Sequence, residues 1–362
     1  MRREKSLLES LVRSSASPWM DGSGTMADVV ISSRVRLARN LRDIEFPHRM
    51  DERTASGVLE KVKEAVSDIN ARRAVPELTC IDLEDVSELD RQVLVEKHLM
   101  SPQHAQPLPG RGLVTRPDER VSIMVNEEDH LRVQCLYSGL ELDEAYITAN
   151  GIDDLLDERL DFAYDERTGF LTACPTNVGT GLRVSVMVHL PALAIGDEVS
   201  RVLSAVNKMG LVVRGLYGEG TEGQGNVYQV SNQITLGQTE KEILENLALI
   251  AKQVVAEERR YRETLMKNQR TALEDRIFRA WGILTNARSM SSSEAVKLWS
   301  DVRLGVELGL IEGLDTRHIN EILVIAQPNF VMRSAGRTMT LEERDVTRAE
   351  LVRRHLAKVK PS

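Results

Sequence analysis

Cysteine is scarce in this chain. Its 362 residues include three, Cys80, Cys135 and Cys174. The number is odd and the spacing is unlike that of zinc ligands, so the sequence predicts neither a disulfide framework nor a zinc site. A reducing, cytoplasmic environment suits such a chain best.

Long apolar runs and an excess of positive charge are also missing. The first nine residues, MRREKSLLE, lack the continuous hydrophobic segment of a signal peptide, and no later run is long enough to cross a membrane. The net charge of -8 argues against bulk binding to nucleic acid, although it allows local basic pockets. With 42% hydrophobic and 28% charged residues, the composition predicts an ordinary soluble protein of about two domains.

Hydrophobic periodicity divides the chain into three parts. Residues 1–27 form a short N-terminal segment with one amphipathic helix, too small for a domain. Residues 28–267 mix strand-like and helical runs, which predicts an α+β catalytic domain with an antiparallel sheet flanked by helices. Residues 268–362 have almost no strand signal, which predicts an all-α C-terminal domain. The strand-like runs are 29–31, 121–125, 131–137, 182–190, 211–217 and 226–234, and the helical runs of the middle part are 54–70 and 195–209.

Two capping boxes predict where long helices begin. In Thr239-Glu-Lys-Glu242 and Thr340-Leu-Glu-Glu343, a threonine is followed three residues later by a glutamate. The first box predicts a helix that runs to about residue 267 and leads into the C-terminal part.

The segment from Gly169 to Arg183 places a thiol, a glycine-rich turn and an arginine between two strand-like runs. The following run alternates strictly, so its second face carries Arg183, Ser185, Met187 and His189 and is predicted to be too polar for a core. An arginine beside a glycine turn suits a phosphate clamp, because its planar fork can bind two oxygens. The alternative is an exposed strand face.

Two further segments concentrate charge. Alternation in Ile31-Ser-Ser-Arg-Val-Arg-Leu37 points both arginines to one side, although exposed strands often carry arginine. The turn Asn126-Glu-Glu-Asp-His-Leu-Arg132 holds three adjacent carboxylates, which repel one another unless cations compensate them. That turn is a candidate guanidinium or metal site, or else a solvated turn.

A fourth segment, residues 213–226, contains five glycines between two probable strands. This composition predicts a mobile loop. Its Glu219 could close over a bound substrate and exclude water, although a plain flexible hairpin fits the segment equally well.

Together, and in their order along the chain, the four segments resemble the catalytic domain of phosphagen (guanidino) kinases, which transfer the γ-phosphoryl group of ATP to a guanidinium nitrogen. The resemblance covers roughly residues 28–267. It implies ATP and Mg²⁺ as cofactors, without a dedicated protein site for the metal. It also implies five arginines around the nucleotide phosphates and a histidine near the nucleotide: Arg34, Arg36, Arg132, Arg183, Arg214 and His98. The other implied nucleotide-binding positions are Ser32, Ser33, Val35, Val184, Ser185, Val186, Met187, Gly215, Leu216, Tyr217, Gly218 and Glu219.

The same resemblance implies catalytic roles for Glu128, Glu219 and Cys174. A guanidinium is protonated at neutral pH and is a poor nucleophile, so carboxylates must orient it and accept a proton. We expect Glu128 to be the base and Cys174 to lie beside the reacting nitrogen. The alternative for Cys174 is a buried cysteine without a role in the chemistry.

The chain also departs from phosphagen kinases that act on small molecules. Those enzymes carry a helical domain ahead of the first motif, where this sequence has about thirty residues, and they lack its helical C-terminal part. An open acceptor side predicts a bulky substrate, such as an exposed arginine on a protein. The combination resembles the bacterial protein arginine kinases over essentially the full length. A free-arginine kinase and a catalytically dead phosphoarginine-binding module stay open as alternatives.

A C-terminal motif strengthens that resemblance. One segment matches the motif by which these kinases bind phosphoarginine allosterically. It consists of Arg344, Asp345, Val346, Thr347, Arg348 and Ala349. The two arginines would lie one turn apart and hold the phosphoryl group, while Asp345 holds the guanidinium. Without the resemblance, the segment would be interpreted as a solvated helix.

The family also implies partners and regulation. We expect a homodimer formed through the C-terminal domain and a small zinc-binding activator of the McsA type. Modified proteins would pass to a Clp unfoldase and protease, and a heat-shock repressor would be inactivated. The resemblance implies neither direct nucleic-acid binding nor a membrane.

Overall fold

The structure is a computed structural model, and it describes residues 2–215 and 223–357. The described strands are β1 Val30–Arg39, β2 Thr79–Asp82, β3 Gly112–Thr115, β4 Val121–Val125, β5 Leu131–Ser138, β6 Tyr164–Asp165, β7 Gly169–Phe170, β8 Leu182–His189, β9 Leu211–Gly215 and β10 Val227–Asn232. The described helices are α1 Arg2–Arg13, α2 Glu52–Arg72, α3 Glu88–Glu96, α4 Leu142–Asp157, α5 Pro191–Ile195, α6 Val199–Lys208, α7 Glu240–Asn268, α8 Arg270–Asn286, α9 Ser292–Glu307, α10 Thr316–Ile325, α11 Pro328–Ala335 and α12 Leu341–Leu356.

Eight of the strands form one antiparallel sheet in the order β2-β3-β4-β5-β1-β8-β10-β9, and β6 pairs with β7. The predicted α+β fold is confirmed. Alternation along the strands gives the sheet one apolar face, on which Val35, Val184 and Val186 are fully buried. Helices α2, α4 and α7 cover this face and complete the first hydrophobic core.

The opposite face of the sheet is covered in part by the C-terminal helices. His189, at the end of β8, is fully buried, and its ring lies 4.9 Å from that of Trp299 on α9. The Nε2 atom of His189 is 2.8 Å from the Oγ of Ser300. The prediction that this whole face is too polar for a core is therefore wrong at the His189 end, because α9 supplies a hydroxyl partner and an aromatic neighbour. The Arg183 end stays partly exposed.

Helices α8 to α12 form a second core, which also takes in Leu11 of α1 and Trp19. Helix α7 contributes to both cores, with Val254 in the first and Leu265 in the second. Both predicted capping boxes are confirmed, since Thr239 and Thr340 each accept a hydrogen bond from the backbone N–H three residues on. No helix in the described part of the chain is long and apolar enough to span a membrane.

One predicted helix is two. The run 195–209 is split between α5, which ends at Ile195, and α6, which begins at Val199. Asp197 has a φ of 57°, in the left-handed region that interrupts a right-handed helix.

Candidate active site

Strand register brings the predicted arginines to one face of the sheet. Directly paired residues on antiparallel strands point the same way. Arg36 pairs with Arg183 of β8, and Ala38 pairs with Arg132 of β5. Gln229 of β10 pairs with Met187 of β8 on one side and with Arg214 of β9 on the other, so these three residues share one face of the sheet. The arginines on this shared face are Arg34, Arg36, Arg132, Arg183 and Arg214.

These cations crowd one another. Burial, together with the nearby Arg132 and Arg183, lowers the pKa of Arg34 to about 10. Burial and the neighbouring Arg34, Arg132 and Arg183 also lower the pKa of Arg36. The Nε atoms of Arg36 and Arg183 have no hydrogen-bond partner among the residues described. Buried, mutually repelling donors without acceptors form a site for a polyanion.

Within this cluster, Arg34 is held in place by neutral side chains. Arg34 donates from Nε to the Oγ of Ser185 at 3.3 Å and from Nη2 to the Oε1 of Gln229 at 2.7 Å. Ser185 and Gln229 lie on the same face as the arginines. Their dipoles orient Arg34 without neutralising its charge.

The acidic turn after β4 gives its two glutamates different surroundings. Glu127 is buried and accepts from Ser101 at 2.6 Å, and its carboxylate is 2.8 Å from Arg132. Burial alone would raise the pKa of Glu127, but Arg132 and the hydrogen bonds lower it. The Glu128 side chain is 37% exposed and 2.9 Å from Arg132. Burial, with the neighbouring Asp129 and Glu127, raises the pKa of Glu128, which makes it the better proton acceptor at the surface of the site.

The next two residues are anchors, which the sequence did not reveal. Asp129 is fully buried, and its Oδ1 accepts from the Asn40 side chain and from the Ala173 backbone N–H, both at 2.7 Å. His130 accepts from Leu41 N through Nδ1, so its Nε2 donates to the Glu45 carbonyl, each at 2.9 Å. The turn thereby ties the end of β1 to the loop that carries Cys174.

No group of three or more histidine, cysteine, aspartate or glutamate side chains suited to a metal occurs in residues 2–215 and 223–357. In the turn predicted as a guanidinium or metal site, Glu128 is the most exposed carboxylate, while Glu127, Asp129 and His130 form hydrogen bonds with neighbouring protein groups.

Cys174 lies at the site and not in a core. It is partly exposed, whereas Cys135 is fully buried. Its Sγ is 3.0 Å from the Thr176 Oγ1. Burial and Arg214 lower the pKa of Arg183, while Cys174 and Glu128 act in the opposite direction, so the thiol and the carboxylate both lie near this arginine.

His98 borders the arginine cluster. Its backbone is in the left-handed region, with φ of 61°, and its ring meets Trp19 edge-on at 5.1 Å. Its carbonyl accepts from Gln134, the partner of Arg36 on β5, at 2.8 Å. Burial and Arg34 lower its pKa to about 4, so the ring is neutral at physiological pH.

The structure separates the remaining predicted nucleotide positions. Ser32, Ser185 and Met187 lie on the arginine face, and Gly215 ends β9. Four predicted residues point to the opposite face, so only their backbone atoms could contact a nucleotide on the arginine face: Ser33, Val35, Val184 and Val186. The predicted residues Leu216, Tyr217, Gly218 and Glu219 lie outside the described residues.

The C-terminal motif lies on α12, and its two arginines differ. Arg348 is buried, donating from Nε to the Ala326 carbonyl at 2.6 Å and from Nη1 to that of Met290 at 2.8 Å. It also pairs with Asp345. The alternative of a solvated helix is wrong, because Arg348 and Ala349 are buried.

Arg344 has freer donors. It is partly buried, and its Nε has no partner within the described ranges. Val346 is half exposed and Thr347 is partly exposed. Arg344 is therefore the motif's more available cation.

A cavity of about 650 Å³ opens beside Glu128. Residues 47–55 and 103–111 supply two of its walls, and Asn126, Glu127, Glu128 and Ala173 supply the third. Ala173 places the loop that carries Cys174 at the wall of this cavity.

Comparisons agree with this architecture. Residues 57–261 match the family described as ATP:guanido phosphotransferase, C-terminal catalytic domain. The solved structure of a lombricine kinase is similar with a TM-score of 0.56 and 22% identity, over 67% of this chain and 71% of that one. A duplicated taurocyamine kinase from Schistosoma mansoni is similar with a TM-score of 0.58 and 26% identity, over 77% of this chain and 41% of that one. Fold and sequence thus define an ATP:guanido phosphotransferase.

The C-terminal part narrows the class. Residues 270–362 match the family described as protein-arginine kinase McsB C-terminal domain. A protein-arginine kinase of Moorella thermoacetica is 53% identical over 94% of this chain and 97% of its own. Those of Pelotomaculum thermopropionicum and Symbiobacterium thermophilum are 49% and 51% identical over 97% and 96% of this chain, each covering 98% of the relative. The chain belongs to the protein-arginine kinase family.

Proposed function

We propose that this protein transfers the γ-phosphoryl group of ATP to the guanidinium group of arginine residues in proteins. The observation that carries the proposal is the row of arginines on one sheet face, which ends beside Glu128 and Cys174. A polyanion site thus adjoins a carboxylate suited to a guanidinium.

The arginines would bind the nucleotide phosphates and neutralise the charge that spreads over the transferred group. Phosphoryl transfer depends mainly on alignment and electrostatic stabilisation, which donors fixed on strands supply. Mg²⁺, when bound with the nucleotide beside Arg34, Arg132 and Arg183, would add to the neutralisation of phosphate charge, and it commonly keeps water ligands instead of a full set of protein ligands. Arg34, fixed by Ser185 and Gln229, would hold its phosphate contact in one orientation.

On the acceptor side, Glu128 would orient the arginine guanidinium and accept a proton. As the new N–P bond forms, the bond from the γ-phosphorus to the bridging oxygen of ADP breaks, and the proton leaves the attacking nitrogen for the carboxylate. The raised pKa of Glu128 favours this transfer. Cys174, if ionised beside Arg183, would add negative charge near the guanidinium, and Glu219 would add a second carboxylate.

The product tests this proposal. Incubation with ATP, Mg²⁺ and an unfolded, arginine-containing protein should add a phosphoryl group to arginine, located by fragmentation mass spectrometry at neutral pH. The modification should disappear after brief acid treatment, because phosphoramidates hydrolyse there. Acid-stable phosphate on hydroxyl side chains would contradict the proposal.

We also propose regulation through the C-terminal part. A phosphoarginine would bind at α12 through Arg344 and the face around Asp345, and so activate the kinase allosterically. Helix α8 supports a homodimer contact, since Phe278 and Ile283 are 49% and 41% exposed and a Cβ on Gly282 would meet no atom within 4 Å. By family resemblance, the partners would be an McsA-type activator, a Clp unfoldase and protease, and a heat-shock repressor, and the setting the cytoplasmic stress response.

A further inference from the structure

The cavity beside Glu128 is built by loops that the transfer chemistry itself does not need. Its walls come from residues 47–55, which enter α2, and from residues 103–111, which lead into β3. A second cavity of about 590 Å³ shares Glu52, Gln106, Leu108 and Pro109 with the first. The two cavities therefore adjoin at these residues, and together they make a groove that begins beside Glu128.

The wall of this groove is fixed before any substrate binds. Arg111 is buried and donates to backbone carbonyls at Asn126 and at Gln103, His104 and Gln106 of the neighbouring loop. These bonds use the Nε and Nη1 atoms of Arg111, so the side chain fixes the wall of the groove. A preformed groove lowers the entropic cost of binding an extended chain.

The rim between the two cavities is rigid and apolar. It is the sequence Pro107-Leu-Pro109, in which prolines fix the backbone on both sides of Leu108. Leu108 donates its N–H to the Gln106 carbonyl at 2.9 Å, and its side chain is 50% exposed. A leucine held outward between two cavities can contact an apolar side chain of a bound polypeptide.

The cavity next to Glu128 carries exposed negative charge, whereas the nearby cation Arg53 lines only the second cavity. Asp51 caps α2 by accepting from Thr54, which lowers its pKa and keeps it ionised, and Glu52 follows on the exposed side. The Asn126 side chain adds an acceptor at this wall. Its Nδ2 is held by the carbonyls of Ala55 and Gly110, while its buried Oδ1 lacks a donor within the described residues.

We infer that this groove binds the polypeptide segment flanking the target arginine and selects its sequence. The inference rests on the proposed function. Basic side chains beside the arginine would be favoured by Asp51 and Glu52, apolar ones would pack on Leu108, and acidic ones would be disfavoured. The groove would thus determine specificity without touching the reacting atoms.

The first test compares two peptides of equal length. Each carries one arginine, flanked on both sides by lysine in one peptide and by glutamate in the other. The measured quantity is the ratio of their kcat/KM values in a single enzyme preparation, so that any loss of folded protein cancels. The wild type should prefer the lysine peptide, and Glu52→Lys should lower the ratio by about three- to fivefold, the range of an exposed charge interaction.

Glu144→Lys is the matched control. Glu144 is exposed and, like Glu52, lies in the first turn of a helix, so both substitutions remove the same interaction with a helix N-terminus. The control ratio should equal the wild-type ratio. A ratio unchanged in Glu52→Lys would overturn the inference, whereas a wild type that phosphorylates neither peptide on arginine would overturn the proposed function itself.

The rim has its own test. Leu108→Ala should raise KM severalfold for a leucine-flanked peptide and leave kcat unchanged, because the contact is the same in the bound substrate and in the transition state. Leu249→Ala, which removes a 58% exposed leucine from α7, is the control and should change neither value. An unchanged KM in Leu108→Ala would remove Leu108 from the docking surface.

Discussion

Two adjacent glutamates should respond in opposite ways to the same substitution. Replacing Glu127 or Glu128 by glutamine removes one charge and almost no volume. Glu127 is buried against Arg132, whereas the Glu128 side chain is 37% exposed. We therefore predict that Glu127→Gln destabilises the fold, and that Glu128→Gln abolishes phosphoryl transfer while the protein stays folded.

The contacts set the size of the difference. The Glu127 carboxylate accepts from Ser101, from the Glu128 N–H and from Arg132. An amide in its place must turn N–H groups toward at least one of these donors. Breaking a buried ion pair costs about 3–5 kcal/mol, and since 1 kcal/mol lowers Tm by roughly 2–4 °C in domains of 150–250 residues, Tm should fall by about 6–20 °C. For Glu128, solvent screening limits the loss to about 0–1 kcal/mol.

Thermal unfolding followed by circular dichroism measures the first effect, and nucleotide binding with single-turnover transfer measures the second. Glu128→Gln should bind ATP like the wild type and form no phosphoarginine. A larger fall in Tm for Glu128→Gln than for Glu127→Gln, or transfer retained in Glu128→Gln, would refute this division of roles.

Three further predictions follow from individual contacts. Asp129→Ala should lower kcat by at least about tenfold and leave ATP affinity unchanged, because the loop at Ala173 loses the hydrogen bond that anchors it. Equal losses of kcat and ATP affinity would indicate instead that the substitution unfolds the protein. Arg348→Ala should lower Tm by several degrees, since two carbonyls lose their donor. Arg344→Ala should leave Tm unchanged and abolish binding of a phosphoarginine peptide, measured by calorimetry. Unchanged peptide binding in Arg344→Ala would refute the proposed phosphoarginine site on α12. Iodoacetamide at pH 8 should alkylate Cys174 well before Cys80 and Cys135. Burial raises the pKa of those two thiols to about 12, which leaves a thiolate fraction of about 10⁻⁴ at this pH. Peptide mapping that finds Cys135 modified first would contradict the burial argument.

Strand alternation carried most of the correct prediction. Because side chains alternate with period two, the pattern in β1 and β8 was enough to place Arg34, Arg36 and Arg183 on one side of their strands. The pairing that brings these strands together joins segments far apart in sequence. The prediction that their arginines form one site therefore depended on the resemblance to phosphagen kinases. The split of the run 195–209 was missed, since the left-handed backbone at Asp197 interrupts an otherwise continuous hydrophobic pattern.

The roles within the acidic turn could not be read from the sequence. Glu127, Glu128 and Asp129 are consecutive carboxylates, and their difference arises from partners distant in sequence, Ser101 for Glu127 and Asn40 with Ala173 for Asp129. Arg348 shows the same limit, because its binding partners are backbone carbonyls, which leave no mark on composition or spacing. The prediction for the polar face of β8 was wrong at His189 for a related reason. Its partner Ser300 lies on a helix more than a hundred residues away in the sequence.

Acceptor preference tests the central claim most directly. The protein would be incubated with γ-labelled ATP and Mg²⁺, with free arginine and an unfolded arginine-rich protein as competing acceptors in one reaction. The account predicts acid-labile label on protein arginine, and none when Glu128→Gln replaces the wild type. Label on free arginine alone would contradict it and identify a small-molecule phosphagen kinase.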